Sequence, residues 1–282
     1  MSVEGAYRPK EYWETLVGRR FDLREVGYPE LSLAFNECIY EAMADSTARG
    51  LRRMGVTPER LRGARVLDVG AGVGFWVDFW AARGVRDITG VDLTRASAER
   101  LAARYPQHTF EQRDIAEPIP PELHGAFDFI SVMSVLNHIP VPERWEAALE
   151  NVGKMLRPGG IAVVMDPMLR YRWRGGEGGN GRVRTVRQHA EVLARQGVTV
   201  EEVLPTMALL VNPVDTRSGA EYWMLMRWWS VVARIARSER AMRAARAPLY
   251  ALDRAACRLG YKPTSKVIFA RKAAGAHLEP SV

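Results

Sequence analysis

Val66-Leu67-Asp68-Val69-Gly70-Ala71-Gly72-Val73-Gly74-Phe75-Trp76 sets a short apolar run carrying one acid against glycines at positions 70, 72 and 74. Such a run followed by glycines reads as a buried parallel strand entering a glycine loop and then a helix, where backbone can approach a nucleoside cofactor with no Cβ in the way. The spacing discriminates between cofactors. A dinucleotide loop needs G-x-G-x-x-G, and the sixth position counted from Gly70 is Phe75, with Gly74 one residue early.

Downstream, Asp87-Ile-Thr-Gly-Val-Asp92-Leu-Thr is a second strand ending in an acid, 22 residues after Gly70. A carboxylate there can accept hydrogen bonds from both hydroxyls of a ribose. Thr109-Phe-Glu-Gln-Arg-Asp114-Ile115 ends a third strand in another acid. Phe127-Asp-Phe-Ile-Ser-Val-Met-Ser134 reads as a fourth strand, and Leu156-Arg-Pro-Gly-Gly160 followed by Ile-Ala-Val-Val-Met-Asp166 as a turn and a fifth.

The Asp-x-Gly-x-Gly-x-Gly form, with these segments in this order, resembles the class I S-adenosylmethionine-dependent methyltransferases, here of the small-molecule, glycan or natural-product type. The resemblance implies S-adenosylmethionine as cofactor and S-adenosylhomocysteine as product. It implies that Gly70, Ala71 and Gly72 lie along the methionyl part, that Asp68 lies near the ammonium group and that Asp92 takes the ribose. It also implies that Asp114 and the N–H of Ile115 recognise adenine, with Leu93 and Met133 beside the cofactor. A nicotinamide dehydrogenase shares the need for Asp92 but not the glycine spacing or Asp114.

From Arg65 to Asp166 strands and helices alternate, with strands near 65–69, 87–92, 107–113, 126–132 and 160–166 and helices near 74–83, 95–104 and 142–155. That alternation predicts an α/β fold with a doubly wound parallel sheet. A further helix near 185–196 and strands near 198–204 and 265–271 complete a Rossmann-like sheet of seven strands, the last inserting antiparallel as in the family. Residues 1–61 read as a helical cap, 62–272 as the methyltransferase domain with a helical insertion at about 206–263 before the last strand, and 273–282 as a tail. In the cap, Tyr12 and Arg20 are candidates to close over the site.

The chain of 282 residues, 47% hydrophobic, can bury a full core. Two cysteines, Cys38 and Cys257, make no disulfide framework, the amino terminus lacks a signal-peptide core, and no run of 18 apolar residues exists. The expectation is a soluble, cytoplasmic protein with no resident metal. The net charge of +7 is uneven, since residues 227–272 hold twelve Lys or Arg against Glu239 and Asp253. An anionic partner, or a solvated helical face, would account for that.

In the insertion, 219–236 reads as a helix with Arg227, Ser230 and Arg234 as a narrow polar stripe and apolar residues over the rest. Packing on the core, a homodimer interface through 219–236, a hydrophobic substrate pocket and a membrane surface are the coverings left open. Arg170 to Arg184 carries five glycines within residues 175–181 and reads as a basic lid or a plain surface loop.

For chemistry, the stretch Ser134-Val-Leu-Asn137-His138-Ile-Pro140 follows the fourth strand, where related enzymes place groups beside the transferable methyl. His138 is the candidate base, because imidazole can take a hydroxyl proton near neutral pH. Asp166 could orient it or act alone, and His189 is a more distant candidate. The expected reaction is methyl transfer to a small molecule, most of all to a hydroxyl of a sugar or secondary metabolite, the acceptor being anionic or hydrophobic. N- or C-methylation and a protein that binds the cofactor without transfer, such as a cyclase or accessory subunit, are the alternatives. Nucleic-acid methylation is suggested by the basic helices but disfavoured, since Ser131-Val-Met-Ser134 stands where amino-methylating nucleic-acid enzymes carry Asn/Asp-Pro-Pro-aromatic.

Overall fold

The computed structural model describes residues 9–17, 20–170 and 181–274. Four helices, α1 (Pro9–Val17), α2 (Leu23–Val26), α3 (Leu33–Arg53) and α4 (Pro58–Arg62), precede β1 (Arg65–Val69). There follow α5 (Phe75–Ala81), β2 (Asp87–Asp92), α6 (Arg95–Arg104), β3 (Thr109–Gln112), β4 (Phe127–Met133), α7 (Pro142–Met155) and β5 (Leu156–Leu169). The chain closes with β6 (Arg184–Thr185), α8 (Val186–Ala194), β7 (Val198–Pro205), α9 (Gly219–Ala236), α10 (Glu239–Arg258) and β8 (Ser265–Lys272). Hydroxyl side chains start most of the longer helices. Ser32, Thr94, Ser218 and Ser238 each accept a first-turn N–H, and Thr185 with Gln188 forms a reciprocal capping box on α8.

The main sheet runs β3-β2-β1-β4-β5-β8-β7, parallel except for β8, which lies antiparallel between β5 and β7; two-residue β6 pairs with the end of β5. This is the expected seven-stranded arrangement. β5 begins at Leu156 rather than near 160, because Leu156 already pairs with Phe127 before an irregularity in the register. β3, at the edge, is shorter than expected and has no fully buried residue.

Strand residues alternate between two cores, as a sheet covered on both faces requires. Val66, Phe129, Ile161, Val163, Met165, Val267 and Phe269 face α3 and α5, whereas Leu67, Ile130, Val132, Ala162, Val164 and Ile268 face α7 and α8. Helix α3 belongs to the first core. A Cβ on its Gly50 would stand 2.0 Å from the Phe269 ring, so helix and strand touch backbone to ring. Helix α9 is covered on one side only: Leu225, Val232 and Ala236 are buried and Trp228 Nε1 donates to the Leu209 carbonyl at 2.8 Å, while Trp223, Met224 and Val231 face outward. The charge of α10 is likewise partly internal. Asp253 accepts the N–H groups of Ala208, Leu209 and Leu210, and Arg254 reaches Ala42 and Ser46. No helix among the described residues is long and apolar enough to cross a membrane.

Candidate active site

The glycine loop is shaped by backbone, not by side chains. Gly70 and Gly72 have φ of +72° and +54°, and a Cβ on Gly70 would come within 2.3 Å of Val135, so a side chain there is both strained and obstructed. The N–H groups of Gly70 and Ala71 donate to the Val91 carbonyl, which hangs the loop from β2. Above it opens a cavity of roughly 230 Å³ at the carboxyl edge of β1, β2 and β4.

Gly70, Ala71, Gly72, Asp92, Leu93, Asp114, Ile115, Met133 and His138 all line this one cavity. The Asp92 carboxylate accepts the Gly72 N–H at 2.8 Å and both the N–H and the hydroxyl of Thr94, at 2.8 and 2.7 Å. Burial raises its pKa despite those donors. Asp114 accepts the Ala116 N–H at 2.9 Å and Arg144 at 2.7 Å. Arg144, which also lines the cavity, is a group that no local pattern announces: it reaches Asp114 across 30 residues of sequence.

Asp68 lies under the loop, not on the cavity wall. It is fully buried; Trp80 Nε1 donates to the Ser131 hydroxyl at 3.0 Å, and that hydroxyl donates to Asp68 Oδ1 at 2.7 Å. Its Oδ2 has no hydrogen-bond partner among the described residues. Burial pushes the Asp68 pKa up to about 7. An orphaned carboxylate oxygen beneath a glycine loop fits a cationic donor, which is what a methionyl ammonium would supply.

The cap residue facing the site is Trp13, not Tyr12. Trp13 lines the cavity and meets the His138 ring edge to face, with centroids 4.9 Å apart. Tyr12 meets the Trp13 ring edge to face, is absent from the cavity lining and is 36% exposed. Helix α1 is docked by Glu14, whose carboxylate accepts the N–H groups of Arg95 and Ala96 at the start of α6. Arg20 is exposed and its N–H is bound by Glu25, outside the cavity lining.

Asp166 does not line the cavity, and His138 acts on it only as a nearby charge, the smallest of the influences on its carboxyl. It is 2% exposed, accepts the Asn137 N–H at 3.4 Å and faces His189 Nε2 at 3.7 Å; His189 Nδ1 lies 2.9 Å from the Thr185 carbonyl. Burial raises the Asp166 pKa, and His189 only partly offsets that. The loop carrying His138 is tied from another side by Arg184, whose guanidinium spans the carbonyls of Leu136, Ile139 and Pro140 over the Trp145 ring. Residues 171–180 of the glycine-rich stretch, including Arg172 and Arg174, lie outside the described residues.

A family model described as a methyltransferase domain matches residues 39–203. A ubiquinone biosynthesis O-methyltransferase of Psychrobacter cryohalolentis is 33% identical over 109 residues, 37% of this chain and 41% of that protein. One from Chromobacterium violaceum is 33% identical over 103 residues, 36% and 43% of the two chains. The chain thus spans about two fifths of the length of these relatives. Among solved structures, an S-adenosylmethionine-dependent methyltransferase from Mesorhizobium loti superposes with a TM-score of 0.51 at 19% identity, over 79% of this chain and 96% of that one. A didemethyltoxoflavin N1-methyltransferase from Burkholderia thailandensis superposes with a TM-score of 0.50 at 19% identity, over 82% and 78%. At such identity these two speak for the fold.

Proposed function

The chain belongs to the methyltransferase-domain family, and from that membership we propose that it uses S-adenosylmethionine to methylate a hydroxyl of a small molecule. The observation that carries this reading is the single cavity in which the loop glycines, Asp92 with Leu93, Asp114 with Ile115, and His138 all appear. Bound there, the cofactor supplies an activated methyl group on a sulfonium. What the chain must add is a held nucleophile, a place for its proton and exclusion of water.

His138 is suited to hold that proton on its imidazole. Trp13 packs against its ring, and Arg184 fixes the backbone on both sides of it, so the group is positioned before substrate arrives. Trp13, Phe75, Trp76, Val135 and Ile139 make much of the cavity wall apolar. That favours a ring-borne hydroxyl over a polyhydroxylated sugar, whose remaining hydroxyls would lose water without gaining partners. The O-methyltransferases named above support an oxygen acceptor, over the stretch of sequence they share. Incubation with methyl-labelled S-adenosylmethionine and separate pools of phenols, sugars, lipids and RNA tests it: label should enter the phenolic or other small-molecule hydroxyl pool. Cofactor binding with no transfer to any pool would sink the enzymatic reading.

Asp92→Ala should weaken S-adenosylmethionine binding by about 1.5–3 kcal/mol, the worth of hydrogen bonds to a charged group. Unchanged affinity by calorimetry would remove the ribose assignment. Asp68→Asn should act in two opposite directions. In the folded chain Asp68 keeps its proton up to about pH 7, against an ordinary value of 3.8, so the folded state binds more protons in that window and stability falls as pH rises through it. Asparagine does not ionise, so the variant should be more stable than the wild type at pH 8 and close to it at pH 4, while binding the cofactor more weakly. A variant less stable at pH 8 would show that the buried carboxylate is compensated in the free protein.

A further inference from the structure

Three highly exposed large apolar side chains stand at one end of the α9–α10 hairpin, at the start of α9 and just past the end of α10: Trp223 at 66%, Met224 at 61% and Leu259 at 88% exposure. The Tyr261 hydroxyl donates to Glu221 at 2.6 Å, which ties the residues just past α10 to the first turn of α9 and sets the three at the same end of the hairpin. Around them stand the exposed guanidinium groups of Arg217, Arg227 and Arg258, none paired with an acid among the described residues. Behind Arg258 the cationic field continues through Arg49, Arg53 and Lys262. The acids close by are already engaged, Glu221 by Tyr261 and the Arg217 N–H, and Glu202 by Arg53. None of these residues lines the cavity described above.

An apolar tip inside a ring of unpaired cations narrows the choice of occupant. A second copy packed about a two-fold axis would set the same arginines against one another. A nucleic acid would satisfy the arginines but gain nothing from Met224 and Leu259. An anionic bilayer satisfies both, because the apolar side chains enter the headgroup–acyl boundary while guanidinium groups stay level with the phosphates. We propose that this end of the hairpin docks on membranes that carry anionic phospholipids. It is an interface separate from the methyl-transfer site and holds whatever the acceptor proves to be.

The test is co-sedimentation of the full chain with phosphatidylcholine vesicles, with and without phosphatidylglycerol. Binding should require phosphatidylglycerol and fall with salt. Arg227→Gln should weaken it about fivefold, and Arg217, Arg227 and Arg258 changed together by about a hundredfold. Trp223→Ser with Met224→Ser and Leu259→Ser should weaken it by at least about tenfold. These positions are exposed, so folding should survive; should a triple variant be unstable, Arg227→Gln alone still decides the outcome. Equal binding to both vesicles, or no binding to either, overturns the proposal. So would a concentration-dependent dimer abolished by the apolar variant, or tighter binding to DNA or RNA lost in the arginine variants.

Discussion

His138→Ala should lower kcat by about 10²–10⁴ while leaving S-adenosylmethionine affinity nearly unaltered, the range expected when a positioned general base is removed. Of the residues proposed to hold the cofactor, all but Met133 lie at or after the ends of β1, β2 and β3, away from the His138 loop, so the two effects should separate. The residual rate should rise with pH as ionised substrate replaces the missing base. Asp166→Asn gives the comparison. Its carboxylate faces His189 and the Asn137 N–H, so its loss should act through the position of the loop and cost less than loss of the imidazole. Near wild-type turnover in His138→Ala, with the fold intact by circular dichroism, would leave transfer dependent on positioning alone and reduce His138 to a contact for Trp13.

What was legible in the sequence follows from how locally each feature is determined. The glycine loop, the acid ending β2 and the acid two residues past β3 were readable because loop shape depends on backbone freedom at Gly70 and Gly72, and because strand ends on one sheet edge must converge. Direction of a side chain was harder. Asp166 does not end its strand, which runs on to Leu169, and alternation in β5 sets it with Ala162 and Val164, the face covered by α7 and α8. It therefore meets His189 and not the cavity. Trp13 was missed by one residue, Tyr12 being named in its place, for a similar reason: neighbours on a helix differ by about 100° in direction, and it is Trp13 that lines the cavity. Arg144 and Arg184 had no signal at all, since each acts on a segment distant in sequence. The exposed side of α9 was equally hidden, because composition shows an apolar helix but not which of its sides the fold leaves uncovered.

A second large effect is expected at a buried ion pair away from the cavity lining. Lys266 is fully buried, and its ammonium donates to Asp215 at 2.8 Å and to the carbonyls of Met168 and Thr264 at 2.6 and 3.1 Å. Arg170, at the end of β5, adds its N–H and its Nε to the same carboxylate, at 3.0 and 2.8 Å. Burial pushes the Lys266 pKa down to about 8, while Lys266 and Arg170 outweigh burial and hold Asp215 below its usual range. Asp215→Ala strands the ammonium without its counter-charge and should cost about 3–5 kcal/mol, read as a fall in the denaturant midpoint. Replacing both partners, Asp215→Leu with Lys266→Met, should recover much of that loss, because the desolvation cost disappears with the charge. The pH dependence gives an independent check. Between about pH 8 and the unperturbed value of 10.5 the unfolded chain binds more protons at Lys266 than the folded one, so wild-type stability gains a rising component over that window which Lys266→Met lacks. If Asp215→Ala melts like the wild type, the ammonium has found another partner or left the interior, and the account of this cluster fails.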